Sequence, residues 1–395
     1  MLLLALIAGL LSVPVLVLFV EVIGGLKSLG KGPEEFAVAR VTGCVAVVVP
    51  AHNESEGIGP TLQDILPQLG HRDRLLVVAD NCTDDTAAIA AGAGAEVIVR
   101  QDSERIGKGY AMAWAIAHLT KDPPDLVLFI DADCRVDAEL VAKLGNVCQQ
   151  TGRPVQALYL MKSASSSEVN HKLSEFAWIL KNLVRPLGLR FFHRPVQLMG
   201  TGMMFPWDVI KLAPLASGNL VEDLRLGLDL AAAGKSAYFL PSAKVTSYFP
   251  TTAKGRDSQR QRWIQGHIAT ILGSVPKLVT LAISRRDLDL LALALDLLVP
   301  PLSLLGLLSA GMFGFTLLLA LLGMSPLPLL IALANLVTFA ASVFLAWRGF
   351  GRDILLASVD PSVGRMIWQK MGVYGQLLRG RIAGEWVRTD RSKTE

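Results

Sequence analysis

Residues Leu126–Cys134 read LVLFIDADC, and the fold turns on how that stretch is taken. Its apolar part, Leu126–Ile130, has strand length and no polar alternation, the pattern of a strand buried on both faces. Two aspartates, Asp131 and Asp133, follow directly. Side chains alternate along an extended chain, so positions i and i+2 point the same way and the two carboxylates are expected to converge. Like charges that close repel unless a cation lies between them. A hard divalent cation, Mg²⁺ or Mn²⁺, shared between a few protein carboxylates and a diphosphate, resolves the repulsion. Asp131 and Asp133 are therefore the candidate metal ligands, with a capped helix start as the purely structural alternative.

Outward from this stretch, Val45–Val49, Leu75–Ala79 and Glu96–Val99 are runs of the same kind. Between the runs lie Gly59–Leu69, Asp84–Ala93 and Gly109–Leu119, which have helical spacing and good helix formers. Strand and helix in alternation predict an α/β domain with a mostly parallel sheet and right-handed crossovers. Ligands of such sheets bind at the carboxyl ends of the strands. Those ends read VVVPAHNE (Val47–Glu54), LLVVADNCTDDT (Leu75–Thr86) and the opening LVLFIDADC: acids rather than glycines. A dinucleotide-binding turn needs G-x-G-x-x-G after the first strand, and Pro50–Ala51–His52–Asn53–Glu54 excludes it. A Walker A loop fails too, because Gly107–Lys108 is followed by Gly109 instead of Ser or Thr, and Asp102 stands where the first glycine is required.

The chain has 395 residues, of which 52% are hydrophobic and only 18% charged, with a mean hydropathy of +0.44. That is too apolar for a disordered chain and short of charge for a wholly soluble enzyme. The formal net charge of +4 is too small to suggest nucleic acid as a partner. The apolar excess is concentrated at the two ends. Residues 1–23 carry a single charge, Glu21, and are long enough to span a hydrocarbon core. No basic residue precedes them, unlike a cleaved signal peptide, whereas Lys27, Lys31 and Arg40 follow. A retained transmembrane anchor is expected, with the following domain cytoplasmic by the positive-inside rule.

A second apolar zone at 297–347 predicts a transmembrane hairpin, broken at Gly323–Pro328 and flanked by Arg285, Arg286, Arg348 and Arg352. That flanking charge puts the turn outside and both ends in the cytoplasm. Together these segments give about three spans in a cell (inner or plasma) membrane. Asp296 is expected at the membrane surface, since a charge deep in lipid needs a partner. Residues 267–286 read as an interfacial helix, and 351–395 as a cytoplasmic or interfacial tail with basic residues suited to an anionic leaflet. Cys44, Cys82, Cys134 and Cys148 form no C-x-x-C pair, so no zinc site is indicated, and in a cytoplasmic domain they stay reduced.

VVVPAHNE, ADNCTDDT, RIGKGYAM (Arg105–Met112) and DADC, in that order, resemble the nucleotide-sugar domain of the family 2 glycosyltransferases, the GT-A fold. GTGMMF (Gly200–Phe205) looks like the family's acceptor-side segment, LVEDLRL (Leu220–Leu226) like its E-D motif, and QRQRW (Gln259–Trp263) like the Q-x-x-R-W motif of its membrane-bound branch. That branch holds cellulose, chitin and hyaluronan synthases and the glucosylceramide-synthase relatives. The resemblance spans residues 40–266 and implies a cytoplasmic, inverting, metal-dependent hexosyltransferase.

Residue by residue, the resemblance makes Asp80 the acid that holds the base or ribose of the nucleotide sugar. Glu54 and Lys108 become further donor-pocket residues. Asp131 and Asp133 take the metal–diphosphate, Asp133 more directly. Asp223 becomes the general base. Gln259, Arg262 and Trp263 close the acceptor and diphosphate side, where Arg262 suits a bidentate contact with a diphosphate and Trp263 offers an apolar face to a sugar ring.

Three spans are few for a polymer channel unless the chain forms a homo-oligomer. A lipid or lipid-linked acceptor, with single transfer, is therefore expected, and the resemblance implies a UDP-sugar donor. A polysaccharide synthase subunit is the alternative, and a catalytically silent nucleotide-sugar-binding membrane protein a distant one, since fold alone does not set function.

Overall fold

The computed structural model describes residues 2–29, 41–163, 169–218, 221–250 and 252–355. In chain order α1 (Leu2–Ser28) is followed by β1 (Val45–Ala51), α2 (Ile58–Ile65), β2 (Arg74–Asp80), α3 (Thr86–Gly92), β3 (Glu96–Arg100), α4 (Lys108–Leu119), β4 (Leu126–Phe129), β5 (Arg135–Val136), α5 (Leu140–Thr151) and β6 (Val155–Lys162). Then come α6 (Val169–Ile179), α7 (Arg185–Phe191), β7 (Met203–Pro206), α8 (Trp207–Ile210), α9 (Glu222–Ala232), β8 (Tyr238–Tyr248), α10 (Ala253–Arg285), α11 (Leu288–Leu298), α12 (Leu302–Leu321) and α13 (Leu327–Ala346). The chain falls into two compact units.

The first unit holds an eight-stranded mixed sheet in the order β3-β2-β1-β4-β7-β6-β8-β5. The strands β3, β2, β1 and β4 pair in parallel, as their unbroken apolar runs predict. Val45–Val49 and Leu75–Ala79 are no more than 4% exposed, because both faces of the sheet are covered. Beyond β4 the pairing changes hand: β7 runs antiparallel to β4 and to β6, and β8 runs parallel to β6. That reversal positions the site. An antiparallel neighbour brings its amino end to the carboxyl end of β4, so Gly202 N donates to Phe129 O at 3.0 Å. The segment just before β7 thereby lies beside the acids that follow β4.

The second unit is helical. It holds α1, α6, α7, most of α10, and α11–α13. Among the described residues four helical stretches are long and apolar enough to cross a membrane: Leu2–Ser28, Gln261–Arg285, Leu302–Leu321 and Leu327–Gly351. The sequence predicts about three. The additional one, Gln261–Arg285, contains the expected interfacial segment, and its hydropathy of 1.4 is the lowest of the four. Of the tail expected at 351–395, residues 356–395 lie outside the described residues.

Helices α6 and α7 follow β6 in the chain and precede β7, yet they belong to the helical unit. A π-turn at Leu180–Val184 joins them. Helix α7 meets α1 through small residues, which let backbones approach closely. A Cβ on Gly24 would stand 2.9 Å from Gly188 Cα, and one on Gly188 would collide with the Glu21 carbonyl. Beside this contact Arg185 Nε donates to Glu21 Oε2 at 2.6 Å, and Arg185 Nη2 donates to Asp296 Oδ1 at 2.5 Å and to its carbonyl at 2.7 Å. Asp296 is thus buried in the protein and paired. Its partner, Arg185, is 111 positions away and invisible to a local reading.

Candidate active site

Asp131 and Asp133 do converge, but through a turn and not through strand alternation. Strand β4 stops at Phe129, and Cys134 N donates back to Asp131 O at 3.2 Å. The turn gathers ligand atoms of Asp131, Asp133 and Cys134 within 4.8 Å of one another. Asp131 N donates to Thr201 Oγ1 at 3.0 Å, which ties the turn to the segment before β7. Burial, with Asp131 adding, holds the Cys134 thiol well above its ordinary range, so it stays protonated. The donors left are carboxylate oxygens, which suit a hard cation such as Mg²⁺ or Mn²⁺ better than zinc.

Lys108, the first residue of α4, points into this group. Its ammonium pairs with Asp131 Oδ1, donates to Gly200 O at 2.6 Å and lies 4.0 Å from Glu222 Oε1. Burial pulls its pKa down, but Asp131 and Glu222 more than reverse that, so the ammonium stays charged. Gly200 has a φ of +92°, and a Cβ there would stand 3.2 Å from Asp223 Oδ2. Glycine is therefore required twice over, for the backbone conformation and for the approach of Asp223. Glu222 and Asp223 open α9, where the free N–H groups and the helix dipole favour acidic side chains. Burial pushes the Glu222 carboxyl up to about 7, Lys108 pulling it down and Asp223 pushing it up.

Glu54 follows β1, and its backbone N donates to Thr86 Oγ1 at 2.8 Å. A Cβ on Gly57 would lie 3.4 Å from Glu54 Oε2 and 3.7 Å from Asp133 Cβ, so Glu54 and Asp133 flank the same point. Asp80 ends β2 and is 6% exposed. Burial raises its pKa, partly offset by Arg100, whose Nη1 donates to Asp80 Oδ1 at 2.7 Å.

The model of the family described as "Glycosyltransferase like family 2" matches residues 42–266. The chain belongs to this family. Among relatives, the glucosyl-3-phosphoglycerate synthase of Mycolicibacterium smegmatis is 33% identical over 25% of this chain and 34% of its own. The 4,4'-diaponeurosporenoate glycosyltransferase of Staphylococcus aureus is 27% identical over 60% of this chain and 64% of its own. The chain thus spans about a third of the first curated relatives and under two thirds of the second kind. Among solved structures, a mannosyltransferase from Pyrobaculum calidifontis in complex with GDP-Man and Mn²⁺ is 18% identical, with a TM-score of 0.48, over 86% of this chain and 99% of that one.

In this glycosyltransferase, Gln259, Arg262 and Trp263 lie on α10 at helical spacing, which puts them on one face. Gln259 is buried. Arg262 and Trp263 belong to the helical unit, where the Trp263 ring packs on Trp178 with centroids 4.8 Å apart. Glu222, Thr201 and Arg100 were not singled out in the sequence. Glu222 stood within the E-D motif. Thr201 stood within the glycine-rich segment before β7. The only trace of Arg100 was a basic residue ending an apolar strand.

Proposed function

We propose that this glycosyltransferase moves a hexose from a nucleotide sugar, a UDP-sugar, to a lipid or lipid-linked acceptor at the cytoplasmic leaflet of the cell membrane, inverting the anomeric carbon. The observation that carries the reading is the meeting of Lys108, Asp131, Asp133, Glu222 and Asp223 at the carboxyl end of β4. The four apolar helices support a membrane acceptor. In this reading residues 40–266 are the cytoplasmic catalytic domain, residues 1–23 its anchor and 297–347 its hairpin.

Asp80 takes the nucleoside, with Glu54 and Lys108 completing the donor pocket. Asp131 and Asp133 would hold a divalent cation at the diphosphate side of the pocket. When bound, such a cation offsets charge building on the leaving nucleoside diphosphate. Asp223 accepts the proton of an acceptor hydroxyl as its oxygen bonds to the anomeric carbon. The bond from that carbon to the diphosphate oxygen breaks, and the nucleoside diphosphate leaves with the electron pair. Gln259, Arg262 and Trp263 close the acceptor side, Arg262 toward the diphosphate and Trp263 toward a sugar ring.

The test is to incubate the full chain in detergent with UDP-sugars, Mn²⁺ and membrane lipid extract, and to read the products by mass spectrometry. One sugar per lipid is expected, lost in excess chelator and restored by Mg²⁺ or Mn²⁺. A ladder of sugar repeats would mark a polysaccharide synthase instead, and full activity in chelator would remove Asp131 and Asp133 from the metal role.

A further inference from the structure

Asp80 holds a feature that its assigned role does not use. Its side chain is buried, at 8% exposed, yet its two oxygens are treated differently. Oδ1 accepts from Arg100 Nη1 at 2.7 Å and from Asn81 Nδ2 at 3.2 Å, which occupies both of its lone pairs. Oδ2 accepts no hydrogen bond from the described residues. Oδ2 retains access to solvent, so it stands open to a ligand.

The asymmetry is built into the sheet. Asp80 and Arg100 are register partners at the carboxyl ends of the parallel strands β2 and β3, so the guanidinium reaches the carboxylate without a loop between them. Arg100 is itself 6% exposed, and both of its terminal nitrogens are engaged. Its Nη2 donates to Asp102 Oδ2 at 2.9 Å and to Arg105 O at 2.8 Å, and its guanidinium carbon lies 5.6 Å from the Tyr110 ring centroid. Asn81, at φ +51°, is fixed in turn by bonds to Asp102: it receives Asp102 N on Oδ1 at 2.8 Å and donates to Asp102 O at 3.1 Å. The carboxylate cannot rotate to offer both oxygens without breaking this set.

We infer that Arg100 is a positioning residue that sets base selectivity, by occupying one Asp80 oxygen so that the other takes the single imide N–H of uracil or thymine. This rests on the reading of Asp80 as the nucleoside contact and adds a discriminating residue to it. Uracil presents one N–H donor between two carbonyls. Guanine presents two adjacent donors, N1–H and N2–H, which call for both carboxylate oxygens side by side. Cytosine and adenine present a ring nitrogen acceptor at the corresponding position, which a carboxylate oxygen repels. A site with one open, charged acceptor therefore favours the imide edge, and it rejects other edges by leaving a polar group unpaired.

Titration calorimetry on the full chain in detergent with Mn²⁺, using UDP, dTDP, CDP and GDP, tests this. The wild type is expected to bind UDP and dTDP at least about 10-fold more tightly than GDP or CDP, as for one charge-assisted hydrogen bond. Arg100→Met is expected to weaken UDP by about 10- to 100-fold and to bring the UDP-to-GDP ratio toward one. Arg100→Lys, which can still donate to Oδ1, is expected to recover part of both. A merely structural role would lower all four affinities together and leave the ratio unchanged, and that result overturns the inference. Equal binding of GDP and UDP by the wild type overturns it with no variant needed, so a variant that fails to fold does not protect it. Asp80→Ala separates the two levels. If it keeps UDP affinity, the underlying placement of the nucleoside is wrong. If it loses UDP while Arg100→Met keeps both affinity and ratio, only the role of Arg100 falls.

Discussion

The Arg185 cluster and the Lys108 cluster each surround one cation with more than one carboxylate, and they are built to different ends. In the helical unit Arg185 meets Glu21 and Asp296, with all three side chains no more than 10% exposed. In the sheet unit Lys108 faces Asp131, Glu222 and Asp223, with Lys108 20% and Asp131 30% exposed. Arginine's rigid fork suits fixed bonds to two partners at once; lysine's ammonium is a point charge on a flexible stem. The Arg185 cluster joins three helices and is closed to water. The Lys108 cluster stands at strand and helix ends, is open on one side, and holds more acid than its cation balances. The first arrangement fits a structural tie; the second is the one the proposed function gives to a charged ligand.

Substitutions should separate the two. The largest effect is expected from Asp223→Asn, which should cost transfer about 10²–10⁴-fold, the usual contribution of a general base, while nucleoside diphosphate binding by calorimetry stays within a few-fold. Transfer near the wild-type rate would take the base role from Asp223. Arg185→Met should leave chemistry in the surviving folded fraction unchanged but destabilise by about 3–5 kcal/mol, because two buried carboxylates lose their cation. Thermal unfolding in detergent reads this, and the triple change Glu21→Gln, Arg185→Met, Asp296→Asn should recover most of the loss. An unaltered midpoint in the single variant would show that the cluster holds nothing together.

The smallest effect concerns Glu222. Its folded pKa of about 7 lies above the ordinary 4.5, so the folded chain binds that proton more tightly than the unfolded one. Stability from this group is full below 4.5 and is lost as pH rises toward 7. In chelator, Glu222→Gln should therefore match the wild type near pH 4.5 and melt higher at pH 8, by a few degrees at about 2–4 °C per kcal/mol. Equal melting curves at both values would mean that Glu222 ionises without cost.

The contrast also explains what could be read in the sequence. Strands β1 to β4 were legible because strands covered on both faces need unbroken apolar runs, and because acids directly after such runs are chemically conspicuous. The meeting of Asp131 with Asp133 was foreseen for the wrong local reason, since a turn does what alternation was expected to do. Arg185 was not legible. Its partners lie 164 and 111 positions away, and no local pattern relates them. The pairing of Asp296 was hidden for the same cause. The open oxygen of Asp80 was equally hidden, because a composition or a motif names a carboxylate but not which of its atoms is already bound.

The pairing of Glu21 with Arg185 bears on how the chain is made. Glu21 emerges from the ribosome 164 residues ahead of the guanidinium that completes it. At about 5–20 residues per second that is a wait of roughly 10–30 s. Through that interval α1 carries an uncompensated acid and lacks the glycine face of α7 that fits its own. Helix α1 can thus reach its final packing only after β1 to β6 have been translated, an interval in which a chaperone or an insertase would have to hold it.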